Sequence, residues 1–124
     1  MMQRSARIAA VILESAASFT LWSAGSGKRG EQLFNQICTG CHALDSEKAG
    51  PRLRGVFGRA AGAVAGFPYS EGMKKARLVW DEATLDKWLT DSASTVADSD
   101  MALRLENAEQ RADIIAYLKT LERK

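Results

Sequence analysis

Both cysteines of this 124-residue chain and its single histidine fall within five positions, Cys38-Thr39-Gly40-Cys41-His42, inside the stretch Ile37 to Leu44. No other feature restricts the fold so sharply. Two thiols at i and i+3 lie on one side of a single turn, and the imidazole follows at once. Whatever this motif binds must therefore meet three reactive groups along one short edge of backbone.

Three chemistries compete for that spacing. Zinc accepts thiolates and imidazole, but a structural site needs four ligands, and the chain holds no further Cys or His. A redox dithiol belongs beside a βαβ pattern, and no stretch here alternates like a strand; a plain structural disulfide is a weaker variant of the same idea. Covalent haem attachment fits best. Both thiols can bond vinyl groups along one porphyrin edge, the adjacent imidazole can take the iron, and placing tethers and ligand together pre-organises the cofactor. An electron-carrying haem iron takes a second axial ligand, usually His or Met. With no histidine left, the candidates beyond the N-terminal segment are Met73, in a short helical stretch, and Met101, in a loop able to lay its thioether over the metal; Met101 is favoured.

The rest of the chain reads as one all-α domain of four to five short helices and long loops. The stretch "KRGEQLFNQICTGCH" puts Leu33, Phe34 and Ile37 on one face of an amphipathic helix. A glycine-rich run from Ala43 to Ser70 follows, with Gly50, Gly55, Gly58, Gly62 and Gly66 and both prolines, Pro51 and Pro68. A loop of this length is uncommon in a compact domain unless it wraps something. Ser70 is placed to cap "SEGMKKA", and Asp81 to cap "DEATLDKWLTD", whose Leu85, Trp88 and Leu89 face inward. After the loop "SASTVADSDMALRLE", Asn107 caps the last helix with Gln110 completing a capping-box-like pair. Ile114, Leu118 and Leu121 form its apolar stripe, and Arg123 and Lys124 suit its negative end. There is no internal repeat and no second domain. Such short helices make a thin core that a large apolar cofactor would complete.

Residues 1–27 carry a different signal. Arg4 and Arg7 precede an apolar run from Ile8 to Gly27, interrupted by Glu14. This reads as an export signal, or, if retained, as an N-terminal membrane anchor. The domain proper is then 28–124, in an oxidising compartment where free thiols are otherwise at risk. A formal charge of +2 is too small to suggest nucleic-acid binding. Its distribution is uneven: seven basic residues against one acid from Lys48 to Arg77, three against nine from Leu78 to Asp113. That gives the molecule an electrostatic orientation.

From Gly30 to Leu121 the chain resembles the class I c-type cytochromes, in particular the subgroup of mitochondrial cytochrome c and its alphaproteobacterial relatives. The resemblance rests on "GEQLFNQICTGCHAL", "GPRLRGVFGRAAG", "GFPYS", "VWDEATLDKWL" and "RADIIAYLK", in order. It implies the small cytochrome c fold and one covalently attached haem c per chain. Cys38 and Cys41 would form the thioethers, His42 and Met101 would ligate the iron, and the Pro51 carbonyl would orient the imidazole. By the same resemblance Arg59, Tyr69 and Trp80 would hydrogen-bond the inner propionate, and Trp88 would stand near the methionine sulfur. Gly30 and Phe34 would meet Tyr117 and Leu118 where the first and last helices cross. The segment before Met101 departs from the family: Ser92 and Ala97 stand where prolines are common, Asp98 replaces a glycine, and Ser99 keeps a hydroxyl at the usual threonine position. Proline stiffens a loop, so a looser Met101 loop is expected. Asp91, Asp98 and Asp100 also border an edge that lysines ring elsewhere in the family.

The resemblance implies a one-electron carrier shuttling between reductase and oxidase complexes of a respiratory chain or periplasmic enzymes. It would be a monomer in the periplasm, touching the membrane only through a retained residue 1–27 segment. No catalytic acid/base pair, nucleophile triad or phosphate-cradling loop stands out, so an enzyme is not expected. A haem-based gas sensor or weak peroxidase is the alternative if the Met101 ligand is absent or labile.

Overall fold

A computed structural model describes residues 25–122. The export or anchor segment lies outside the described residues up to position 24, as do Arg123 and Lys124, so the structure bears on neither expectation. Among the described residues no helix is long and apolar enough to cross a membrane.

Five helices form among the described residues: α1 (Gly27–Ile37), α2 (Glu71–Lys75), α3 (Glu82–Thr90), α4 (Ser92–Thr95) and α5 (Ala108–Thr120). Three of the five, α2, α3 and α5, start at the capping residues read in the sequence. The Ser70 hydroxyl accepts the Met73 N–H at 3.2 Å. Asp81 and Thr84 make a reciprocal capping box, with the Thr84 N–H to Asp81 at 2.8 Å and the Asp81 N–H to the Thr84 hydroxyl at 2.8 Å. Asn107 accepts the Gln110 N–H at 3.0 Å. Each such cap satisfies a backbone donor that the helix itself cannot. One element was not anticipated: the single turn α4 lies inside the stretch read as loop.

The frame is the crossing of α1 and α5, on which α3 also packs. Gly30 makes that crossing possible, because a Cβ there would run into the Asp113 carbonyl and come within 2.9 Å of the Tyr117 Cβ. Phe34, 2 % exposed, stacks obliquely on Tyr117 at 5.3 Å between ring centroids. Full burial of such a ring contributes about 2–3 kcal/mol. Leu33 is partly buried as expected, but Ile37 is not: at the end of α1 it stands 37 % exposed. The helix ends there, and the turn of the cysteine motif carries the chain away from the core before Ile37 can pack.

A buried carboxylate ties the same crossing. Asp113 accepts the Ser26 N–H at 2.7 Å and the Arg29 Nε at 3.1 Å. Burial alone would raise its pKa, but the hydrogen bonds and the guanidinium charge outweigh that and hold it below the ordinary carboxylate value. Ile114, Leu118 and Leu121 face the core as the stripe requires, as do Leu85, Trp88 and Leu89 of α3. Among the described residues no strand forms. A single antiparallel bridge, Ala60 to Val79, closes the glycine-rich segment onto the stretch before α3.

Candidate functional site

The cysteine motif occupies the turn that ends α1. The Cys38 N–H caps the helix on the Phe34 carbonyl at 2.8 Å, and the N–H groups of Cys41 and His42 both return to the Cys38 carbonyl, at 3.2 and 2.9 Å. Both thiols are free; Cys38 is half-buried and Cys41 exposed. Burial pushes the Cys38 thiol up to about 11. A redox dithiol needs a depressed thiol pKa, so this environment argues against thioredoxin-like chemistry.

The imidazole of His42 is fixed from two sides. Its Nδ1 lies 2.8 Å from the Pro51 carbonyl oxygen, an acceptor that selects the tautomer with the proton on Nδ1 and keeps Nε2 basic for a metal. Gly50 lies flat against the ring: a Cβ there would sit 2.6 and 2.7 Å from Nδ1 and Nε2. The Gly50 N–H donates to the Cys41 carbonyl at 2.8 Å, so the loop that presses on the ring is tied to the turn that carries it. Burial, followed by the positive charges of Arg59 and Lys48, lowers the His42 pKa against the raising effect of the Pro51 contact. The lowered pKa favours the neutral ring, with Nε2 free to act as a donor to a metal.

Met101 and Cys38 pack against the same apolar cluster, which includes Trp80 and Trp88. Two free thiols on one turn, an oriented imidazole and a thioether on one apolar cluster fit an iron porphyrin held through its vinyl edge. Residues 27–122 match the family model described as cytochrome c. The chain is 39% identical over 107 residues to cytochrome c of Chlamydomonas reinhardtii, covering 83% of this chain and 96% of that protein. It is 40% identical over 119 residues to cytochrome c2 of Rhodomicrobium vannielii, covering 93% and 92%. Among solved structures, cytochrome cH from Methylobacterium extorquens superposes with a TM-score of 0.74 at 38% identity, covering 77% of this chain and 99% of that one.

The chain belongs to the cytochrome c family. As a cytochrome c family member it is an electron carrier rather than an enzyme, and its cofactor is covalently attached haem c with its iron. The fold is likewise that of the family.

The other residues read from the sequence take four separate places around the cytochrome c motif. Arg59 and Trp80 are brought side by side by the short bridge, where the Trp80 N–H donates to the Arg59 carbonyl at 2.9 Å. The Arg59 guanidinium donates to the Arg52 carbonyl at 2.7 Å and lines an open cleft of about 580 Å³ with Arg52, Arg54 and Asp45. Trp80 in turn meets Trp88 of α3 at 5.3 Å between rings. Tyr69 sits apart from them, its hydroxyl accepting the Val64 N–H at 3.0 Å and its ring edge-on to Phe67. Ser99 is spent locally, accepting the Met101 N–H at 3.1 Å and donating to the Met101 carbonyl at 2.9 Å. Met73 packs on the core from α2.

Three residues beside the candidate site were given no contact with it by sequence reading. Gly50 carried a signal in standing directly before Pro51. Ser92 and Asp98 carried none, since both look like simple losses of the usual loop residues. A second cleft, of about 450 Å³, runs between Glu47, Lys48 and Ala49 on one side and Phe67, Pro68 and Asp100 on the other. It places Asp100 opposite the loop that follows His42.

Proposed function

We propose that this chain is a monomeric one-electron shuttle whose haem iron is held between His42 and Met101. Cys38 and Cys41 form the thioether tethers. The observation that carries the reading is the Nδ1 contact of His42 with the Pro51 carbonyl at 2.8 Å, with Gly50 closed on the ring. It presents Nε2 as a fixed neutral donor, the state an axial ligand requires.

Bound haem supplies the ferric–ferrous couple; this chain's residues set its surroundings. The Arg59 guanidinium offers positive charge to an inward-facing propionate. Tyr69, apart from Arg59 and Trp80, retains a hydroxyl proton that it would donate toward the haem's polar edge, and the Trp80 indole would donate there too. Trp88 closes on the Met101 side, and Ser99 orients the Met101 backbone. Held by His42 and Met101 in both oxidation states, the iron would need little rearrangement around it, which would suit rapid transfer.

We place the protein in the periplasm, exchanging electrons with reductase and oxidase complexes of a respiratory chain or with periplasmic enzymes, after export directed by residues 1–27. Relatives named cytochrome c2 and cyt cy, the latter in Rhodobacter capsulatus at 43% identity, support a bacterial carrier role.

The test is an optical spectrum of the purified holoprotein, oxidised and reduced, with and without carbon monoxide at neutral pH. Low-spin spectra in both states, a weak long-wavelength sulfur–iron absorption in the ferric form and no response to carbon monoxide are expected. A high-spin ferrous form that binds carbon monoxide would overturn Met101 ligation and favour a gas sensor or weak peroxidase. Separation of membrane and soluble fractions distinguishes a cleaved signal from a retained anchor.

A further inference from the structure

The segment that carries Met101 contains no proline, the chain's two being Pro51 and Pro68. Its order comes from hydroxyl and carboxylate contacts instead. Ser92 is 0 % exposed. Its hydroxyl donates to the Met101 carbonyl at 2.5 Å and accepts the Leu103 N–H at 3.0 Å, while its backbone N–H donates to the Leu103 carbonyl at 3.1 Å. One side chain thus brackets Met101 from two residues beyond and from the residue itself. A hydroxyl fully removed from water is unfavourable unless both its donor and acceptor capacity are used. Here both are used, on the one stretch whose position matters to the iron.

Ser92 is itself well anchored. It opens α4, whose packing against α3 links it to the helix bearing Trp88, and the Val96 N–H closes that turn on the Ser92 carbonyl at 3.0 Å. At the other end of the loop the Asp98 carboxylate accepts the Gly72 N–H at 2.9 Å and the Ser70 hydroxyl at 3.1 Å, reaching across to the start of α2. Gly72 permits this approach, since a Cβ there would collide with the Asp98 carboxylate.

We propose that Ser92 is a positioning residue for the Met101 ligand, with Asp98 as its counterpart at the far side of the loop: the hydrogen bonds of a buried hydroxyl and an exposed carboxylate do here what proline does by fixing φ. The inference rests on the Met101 ligation proposed above. It makes the residence of the thioether on the iron depend on two side chains that do not touch the haem iron. The departures at positions 92 and 98 are therefore a replacement for loop stiffness, not a loss of it.

The experiment uses ferric holoprotein and imidazole as the probe, because imidazole enters only when the Met101 loop swings away. Ser92→Ala is expected to raise the rate of imidazole binding about tenfold, the consequence of leaving the Leu103 N–H without its acceptor and the Met101 carbonyl with the Ser99 hydroxyl alone. Asp98→Ala, at an exposed side chain that folding tolerates, is expected to raise it about threefold. Ile115→Val, on α5 and outside the loop's hydrogen bonds, lowers global stability by trimming a buried side chain and should leave imidazole binding unchanged. The sulfur–iron absorption is followed in every variant. Its absence from the unaltered protein would overturn Met101 ligation and this inference with it. Its presence, with Ser92→Ala and Asp98→Ala binding imidazole no faster than the unaltered protein or than Ile115→Val, would overturn the positioning role alone.

Discussion

The two halves of the site are held by different means. On the histidine side, residues 38–51 close on themselves: His42 returns to Cys38, Gly50 to Cys41, and the His42 ring to Pro51, all within thirteen positions. On the methionine side, Ser92 closes on Met101 and Leu103 within the loop, but the rest of the loop from Asp91 to Leu105 depends on partners elsewhere. Asp98 reaches back to Ser70 and Gly72, Leu105 donates to the Leu89 carbonyl at 2.9 Å, and Arg111 grips the Leu105 and Glu106 carbonyls at 2.8 and 2.9 Å while pairing with Asp86 at 2.7 Å. Short closures cost little chain entropy, and distant ones more. The lesson is that one proposed ligand, His42, is built into a local unit, whereas the other, Met101, is only as fixed as the tertiary structure around it. Local opening, where it occurs, belongs to the methionine side.

The sharpest way to break that contrast is to attack the self-contained half. Gly50→Ala drives a methyl group into the His42 ring, and a cost of about 3 kcal/mol is expected from overpacking a site with no room to relax. Denaturant midpoints and the yield of haem-loaded protein measure it. Met101→Ala should cost less, about 2 kcal/mol for a partly buried side chain, and leave a folded haem protein whose reduced form binds carbon monoxide. If the methionine variant lost more stability than the glycine one, the asymmetry would be reversed.

Asp113 tests the scaffold common to both halves. Its folded pKa is depressed, so its stabilising contribution is full above the unfolded carboxyl value of about 3.9 and is lost as pH falls through the lower folded value. Asp113→Asn should therefore be less stable than the unaltered protein at neutral pH, with the difference vanishing in acid. Circular dichroism and haem absorbance should report the same transition, because both halves rest on the α1–α5 crossing. Smaller still is Ser99→Ala, expected to cost about 0.5–1 kcal/mol and to be seen in hydrogen exchange around Met101 but not around His42.

The least effect concerns docking. Of the three acids beside the Met101 loop, Asp98 is engaged with α2 and Asp91 lies 3.6 Å from Arg104, while Asp100 is exposed at the cleft opposite Glu47 and Lys48. Association with an acidic partner should quicken modestly with added salt, and Asp100→Lys should abolish that rise.

Much of this was legible in the chain. The caps at Ser70, Asp81 and Asn107 and the inward faces of α3 and α5 depend on residues a few positions apart, and the structure has them as read. Gly30 and Phe34 against Tyr117 followed from the family resemblance. Reading failed where a side chain's partner lies far along the chain. Ile37 fits a helical stripe, yet the chain turns away before it can pack. Position 92 looked like a missing proline, and only the folded chain shows its hydroxyl holding Met101 and Leu103.

By itself, then, the order of amino acids determined the attachment motif, the helix starts and the family, because these depend on spacing within a turn or two of backbone. The tertiary structure alone decided how the Met101 segment is held. Its hydrogen bonds join residues 9 to 28 positions apart, and such pairs form only once α3, packed on α5, has set α4 and the loop after it in place.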